Sequence, residues 1–155
     1  MKTIKIIIQI AAILYAVNFS QQIYSQQIYS QGVFTFCKSV DDNVYPVETV
    51  TEVASGEPVY FHFAMQEPIG REGGNNITVG WVIHSVGEDG TDNGFINEYF
   101  TYFEPGNRRF CTTEPFNFSQ PGRYRVYAIN WDDRQVNFHP GSLTKYYARN
   151  EITVK

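Results

Sequence analysis

From Val33 onward the chain alternates apolar and polar residues in short runs, separated by clusters of Gly, Pro, Asn and Asp. This period-two pattern predicts many short strands and no long helix. Because successive strand side chains point to opposite faces, each run sorts into a core set and an outward set. Val59, Phe61, Phe63 and Met65 form one inward set, with Tyr60, His62 and Ala64 on the reverse. Ile77, Val79, Trp81 and Ile83 form another, with Thr78, Gly80, Val82 and His84 opposite. Tyr124, Val126 and Ala128 point inward in a later run, and Ile152 and Val154 close the core at the end of the chain. The run at 95–104 differs, because it carries aromatic residues at both parities. Such a strand is either buried on both faces or lies beneath a partner.

Residues 120–128 read Gln-Pro-Gly-Arg-Tyr-Arg-Val-Tyr-Ala, a Pro-Gly turn opening a strand with Tyr124 at its start. Together with Trp81 in a middle strand, this resembles the tyrosine corner and central tryptophan of immunoglobulin-like and fibronectin type III sandwiches. The resemblance covers 33–155 and implies an all-β, immunoglobulin-like antiparallel β-sandwich of about seven strands, preceded by a signal peptide. Antibody-like domains carry a sheet-bridging cysteine two residues after the corner tyrosine, but here that position is Val126. The stretches Phe36-Cys37-Lys38-Ser39-Val40-Asp41 and Ser55-Gly56-Glu57-Pro58-Val59-Tyr60 are also similar to secreted bacterial modules of this class. That similarity implies no activity.

Ahead of the alternating region, Lys2 and Lys5 precede an apolar run at 6–17 broken only by Gln9. A run of this length fits a secretory signal, whereas a spanning helix needs about 20 residues. The expected organisation is a signal peptide at 1–20, with cleavage as late as 30, a spacer at 21–32, and one domain at 33–155. The expected location is therefore extracellular, or periplasmic or cell-surface in a bacterium, with no membrane association after cleavage. The spacer holds Gln-Gln-Ile-Tyr-Ser written twice. It reads as a duplication in a tolerant segment, or as an arm that joins subunits by adding a strand to a neighbour's sheet.

The chain has 155 residues, 43% of them apolar and 16% aromatic, enough for one hydrophobic core. A net charge of -4 without a basic run excludes the electrostatic footprint of a nucleic-acid binder. Two cysteines, Cys37 and Cys111, in an oxidising compartment lead to the expectation of one disulfide closing a loop of about 75 residues.

Nothing in the sequence assembles a catalytic or cofactor signature, so no cofactor is implied and no enzyme is expected. His62, His84 and His139 are read as outward or loop residues without partners, since no pair has metal-ligand spacing. Asp89, Thr91, Asn93 and Gly94 partly mimic a calcium loop but lack the closing glutamate, as Phe100 stands there. The segment reads as a turn, with a low-affinity calcium site at Asp89 and Asp92 left open. Asn76 and Asn117 begin Asn-x-Ser/Thr sequons, which matter only in a eukaryote.

Outward parity brings Tyr127, Ile129 and Trp131 of one strand, with His84 of its neighbour, onto one outer sheet face, with Tyr146 or Tyr147 expected nearby. Exposed aromatic rows mark surfaces for protein or carbohydrate ligands. The leading expectation is a secreted binding or assembly module using that face. Its rivals are a structural subunit self-associating through the spacer, and an enzyme or inhibitor acting through the loops at 67–76 and 132–141.

Overall fold

The computed structural model describes residues 32–70, 72–132 and 146–155. The expected signal segment, the tandem repeat, His139 and most of the 132–141 loop lie outside the described residues. Among those described there are ten strands: β1 (Gly32–Val40), β2 (Pro46–Val50), β3 (Glu52–Val53), β4 (Pro58–Ile69), β5 (Ile77–Val86), β6 (Asp92–Phe103), β7 (Asn107–Cys111), β8 (Phe116–Asn117), β9 (Gly122–Asn130) and β10 (Ala148–Val154). They form two sheets. The first runs β2-β1-β4-β7, with β8 paired to the start of β4; the second runs β3-β10-β9-β5-β6. All neighbouring pairs are antiparallel except β10 with β3.

The alternation read from the sequence sets which faces meet. Phe34 and Phe36 of β1, Phe61 and Phe63 of β4, Trp81 of β5, Phe110 of β7 and Val126 of β9 are all buried in one cluster between the sheets. Rings dominate it: Phe61 lies edge-on to Phe36 at 5.5 Å and to Trp81 at 6.1 Å, and Phe63 stacks on Phe110 at 4.7 Å. Each such pair adds about 0.5–1.5 kcal/mol beyond the area it buries. The Trp81 indole N–H donates to Thr101 Oγ1 at 3.1 Å, so the largest buried side chain leaves no donor unmet. The corner forms as the sequence implied, with the Tyr124 hydroxyl donating to the Gln120 carbonyl at 2.9 Å. With β10, β9 and β5 as the neighbouring strands of one sheet and Trp81 facing the core, the fold is an immunoglobulin-like sandwich.

The strand count exceeds the expected seven because three short strands, β2, β3 and β8, are laid along the principal ones.

The expected disulfide is not present: Cys37 and Cys111 are both free and buried. The reason is topological. Cys37 pairs with Tyr60 and Cys111 with His62, on opposite sides of β4. Two strand spacings amount to about 9.6 Å, beyond the roughly 7 Å that a disulfide spans between α-carbons. Burial raises both thiols, Cys111 up to about 12 with the neighbouring Cys37 adding to the effect, so neither is activated as a nucleophile.

Candidate functional site

The outer face of the second sheet holds the residues that parity brought together, but it divides into a closed polar half and an open aromatic half. In the closed half, Tyr127 and His84 do emerge on the outer face, and the expectation that they are exposed is wrong. Tyr127 is 2% exposed and His84 fully buried. Val82, Tyr127 and Ile129 pack into a second apolar cluster with Tyr146 against it, the Tyr127 and Tyr146 rings 5.6 Å apart. Tyr146 is half-buried and carries the Arg149 guanidinium 5.4 Å from its ring centre.

Beside that cluster the hub is Asp92, at the start of β6. It accepts from His84 Nδ1 at 2.8 Å, from the Tyr127 hydroxyl at 2.9 Å and from the Gly94 amide at 2.9 Å. A carboxylate only accepts, so His84 carries its hydrogen on Nδ1 in this contact. Burial acts to raise the Asp92 carboxyl, yet the bonds from His84, Tyr127 and Gly94 together hold it below its ordinary range. Arg125 extends the network, reaching Asp92 at 3.4 Å and clasping Glu151 Oε1 through Nε and Nη2 at 2.9 and 2.6 Å. Arg123 takes the other Glu151 oxygen at 2.7 Å. The two arginines repay the partial burial of Glu151, whose carboxyl is lowered.

The calcium option at Asp89 and Asp92 does not fit this geometry. Asp92 turns onto the sheet to serve His84 and Tyr127, while Asp89 caps its own turn by accepting from the Thr91 amide at 2.9 Å and the Thr91 hydroxyl at 2.7 Å. Among the described residues no group of three or more His, Cys, Asp or Glu is placed to hold a metal.

His62 departs from expectation in the same way on the other sheet. It lies on the outer face at 3% exposure, and its Nε2–H donates to the Val44 carbonyl at 3.0 Å. Val44 sits at φ +59°, a costly conformation for a β-branched residue. The loop that imposes it is held by Asp41, which accepts from the Asn43 and Tyr45 amides, and by Tyr45, whose ring lies 3.8 Å under the Arg109 guanidinium. Burial is the main cause lowering the His62 imidazole.

The open half lies one strand further out. Gly80 of β5 pairs with Phe100 of β6 on one side and Ile129 of β9 on the other. A β-carbon at Gly80 would stand 2.6 Å from Trp131 Cε3, so the bare backbone there is the floor on which the Trp131 ring rests. Trp131 is half-buried and meets Phe100 with ring centres 5.1 Å apart. Phe100 in turn meets Tyr102, two residues along the same face, at 5.4 Å. Phe100 is 47% and Tyr102 64% exposed. Of the predicted site residues, only Trp131 belongs to this open row. Phe100 and Tyr102 were signalled by the double-sided aromatic pattern at 95–104, but parity alone does not say that β6 is an edge.

That edge position gives the row its chemistry. Among the described strands, β6 has a single partner, β5, and it is 12 residues long. The other edges among the described strands are β2 and β7, five residues each, and β3 and β8, two residues each. Of the seven exposed large apolar side chains among the described residues, four lie on β6: Phe95, Ile96, Phe100 and Tyr102.

The sequence matches no protein-family model and no curated protein. Solved structures with a similar arrangement include an immunoglobulin-like protein from Pseudomonas aeruginosa, at 13% identity and a TM-score of 0.41, covering 79% of this chain and 91% of that one. A superoxide reductase (neelaredoxin) from Ignicoccus hospitalis aligns at 12% identity and a TM-score of 0.39, covering 79% and 83%. The CARDB domain of a Pyrococcus furiosus protein, in complex with di-metal ions, aligns at 8% identity and 0.37, covering 80% and 90%. Likeness at this level carries nothing about what this chain binds.

Proposed function

We propose that this chain is an exported, non-catalytic binding module that takes an extended segment of a protein partner along β6. The observation that carries the reading is the coincidence, on one strand, of the longest edge among the described strands and most of the exposed large apolar side chains among the described residues. An edge presents unpaired amides and carbonyls, and natural proteins protect long edges with lysine, proline or shortness. β6 contains neither lysine nor proline and is not short, and the register shifts in its pairing with β5 lie before Asn97, so 97–103 forms a regular edge. A strand added there gains backbone hydrogen bonds from the edge and side-chain contact from Phe100, Tyr102 and Trp131. A sugar would use the rings and leave the edge idle, so a polypeptide is favoured over a carbohydrate. The inward-turned charges around Asp92 serve one another and support a structural role for the polar half of this face. Export is supported by the basic-then-apolar start of the chain.

The test compares the protein with a Phe100→Ala/Tyr102→Ala variant, using Trp131 emission as the reporter in a Trp81→Phe background. Phe100 is about half and Tyr102 about two-thirds exposed, so the domain should stay folded, with a stability change of about 1 kcal/mol. Polypeptides captured by the protein from its native surroundings should perturb Trp131 emission and lose affinity at least tenfold for the variant. Equal affinity would reject β6 as the contact surface. A glycan that perturbs the emission while β6 amides stay unprotected would replace the protein partner with a carbohydrate.

A further inference from the structure

We infer that the segment docking along β6 is the 21–32 arm of a second copy of this chain. The inference rests on the reading of β6 as the contact edge and names its occupant. Three observations favour the arm.

The first is charge. The charged side chains of β6 are Asp92, already engaged by His84, Tyr127 and Arg125, and Glu98, with Glu104 following, so a second β6 brought alongside would add further carboxylates with no cation on either strand to offset them. The arm has no charged residue; the sequence is uncharged from Gln21 to Cys37.

The second is parity. The repeat unit, Gln-Gln-Ile-Tyr-Ser, has an odd length, so its two copies present opposite faces when extended. Ile23 and Tyr29 fall on one face, Tyr24 and Ile28 on the other. The arm therefore offers one aliphatic and one aromatic side chain to each face of a sheet. β6 has apolar neighbours to receive both sets: Phe100 and Tyr102 outside, half-buried Tyr99 and Phe103 inside.

The third is placement. The arm joins the sandwich at Gly32, whose amide donates to the Tyr147 carbonyl at 3.1 Å, just before β10. In the order β10-β9-β5-β6 that is three strand spacings, about 14 Å, from the edge of its own β6. Eleven extended residues reach about 36 Å. Reaching its own edge would take more than a third of the arm before any residue could pair there. One arm donated and one edge accepted per subunit is a head-to-tail contact, which propagates into an open chain of subunits unless the rotation closes a ring.

Sedimentation of the full chain tests this with two variants, Ile23→Lys/Ile28→Lys in the arm and Phe100→Lys on the edge. The apolar run at 6–17 is common to every form, so differences report the arm and the edge. The unaltered chain should grow with concentration beyond a dimer, and each variant alone should stay monomeric. An equimolar mixture of the two variants should stop at the dimer, because one supplies the only good edge and the other the only good arm. A monomeric unaltered chain, or a mixture that yields no dimer, overturns the inference. If the arm variant associates normally while Phe100→Lys does not, the edge stands and the arm is not its occupant. If Phe100→Lys also associates normally, the reading of β6 falls with it.

Discussion

At the scale of single residues, the outer faces of this sandwich are shaped by buried polar groups that each need a particular partner. Asp92 is the clearest case. Its side chain is 9% exposed and accepts from an imidazole, a phenol, an amide and a guanidinium. Asp92→Ala leaves the His84 N–H and the Tyr127 hydroxyl without their shared acceptor, while Arg125 keeps Glu151, and should lower stability by about 2 kcal/mol in a denaturant titration. His62 gives a different signature. Its folded-state pKa lies below the ordinary 6.5, so over that interval the unfolded chain binds the proton more readily than the folded one. Stability should therefore be full above about pH 6.5 and fall as the pH drops below it, by at most about 1.4 kcal/mol per pH unit, until the folded imidazole is protonated too. A second loss should follow near and below the ordinary carboxyl range, as Asp92 and Glu151, both held low in the fold, take up protons. His62→Gln should remove the upper loss and keep the lower one, read as unfolding free energy against pH.

At the scale of elements, the account turns on how β5, β6 and β9 share one outer face. Gly80 lets Trp131 lie on the sheet and reach Phe100. Gly80→Ala should cost about 1–3 kcal/mol if the ring is forced to stay, or less if it swings out. Either way Trp131 emission should shift to the red while Trp81 stays buried. The inward set, from Val59 to Val154, was legible in the sequence because a two-sheet core imposes strict alternation on every strand that crosses it. Tyr124 was legible because its turn and its hydroxyl partner are both local, four residues apart. What parity could not supply was strand order. Tyr127 and His84 point outward as expected, yet they sit on the inner strands β9 and β5, where lateral neighbours bury them. Phe100 and Tyr102 have the same parity but sit on an edge, and so stay open. Cys37 and Cys111 failed as a pair for a related reason, since β4 between them is a fact of order and not of spacing. Arg125 and Glu151 had a readable signal, in the Arg123-x-Arg125 spacing at outward parity, which calls for a carboxylate on the adjacent strand.

At the scale of the whole molecule, cohesion comes from one aromatic core between two sheets, with no covalent link between them among the described residues. A reducing agent should therefore leave the thermal midpoint unchanged, and both thiols should resist alkylation until the domain unfolds. A disulfide across the 75-residue loop would by contrast contribute roughly 4–5 kcal/mol, and its reduction would lower the midpoint by many degrees. Among the described strands the same architecture leaves one long edge, β6, with a single partner, and the most direct test of that edge is amide hydrogen exchange on the associated protein. The account predicts that the β6 amides directed away from β5 become protected on association, with β2 and β7 unchanged. Protection appearing on β2 or β7 while β6 continues to exchange freely would contradict it.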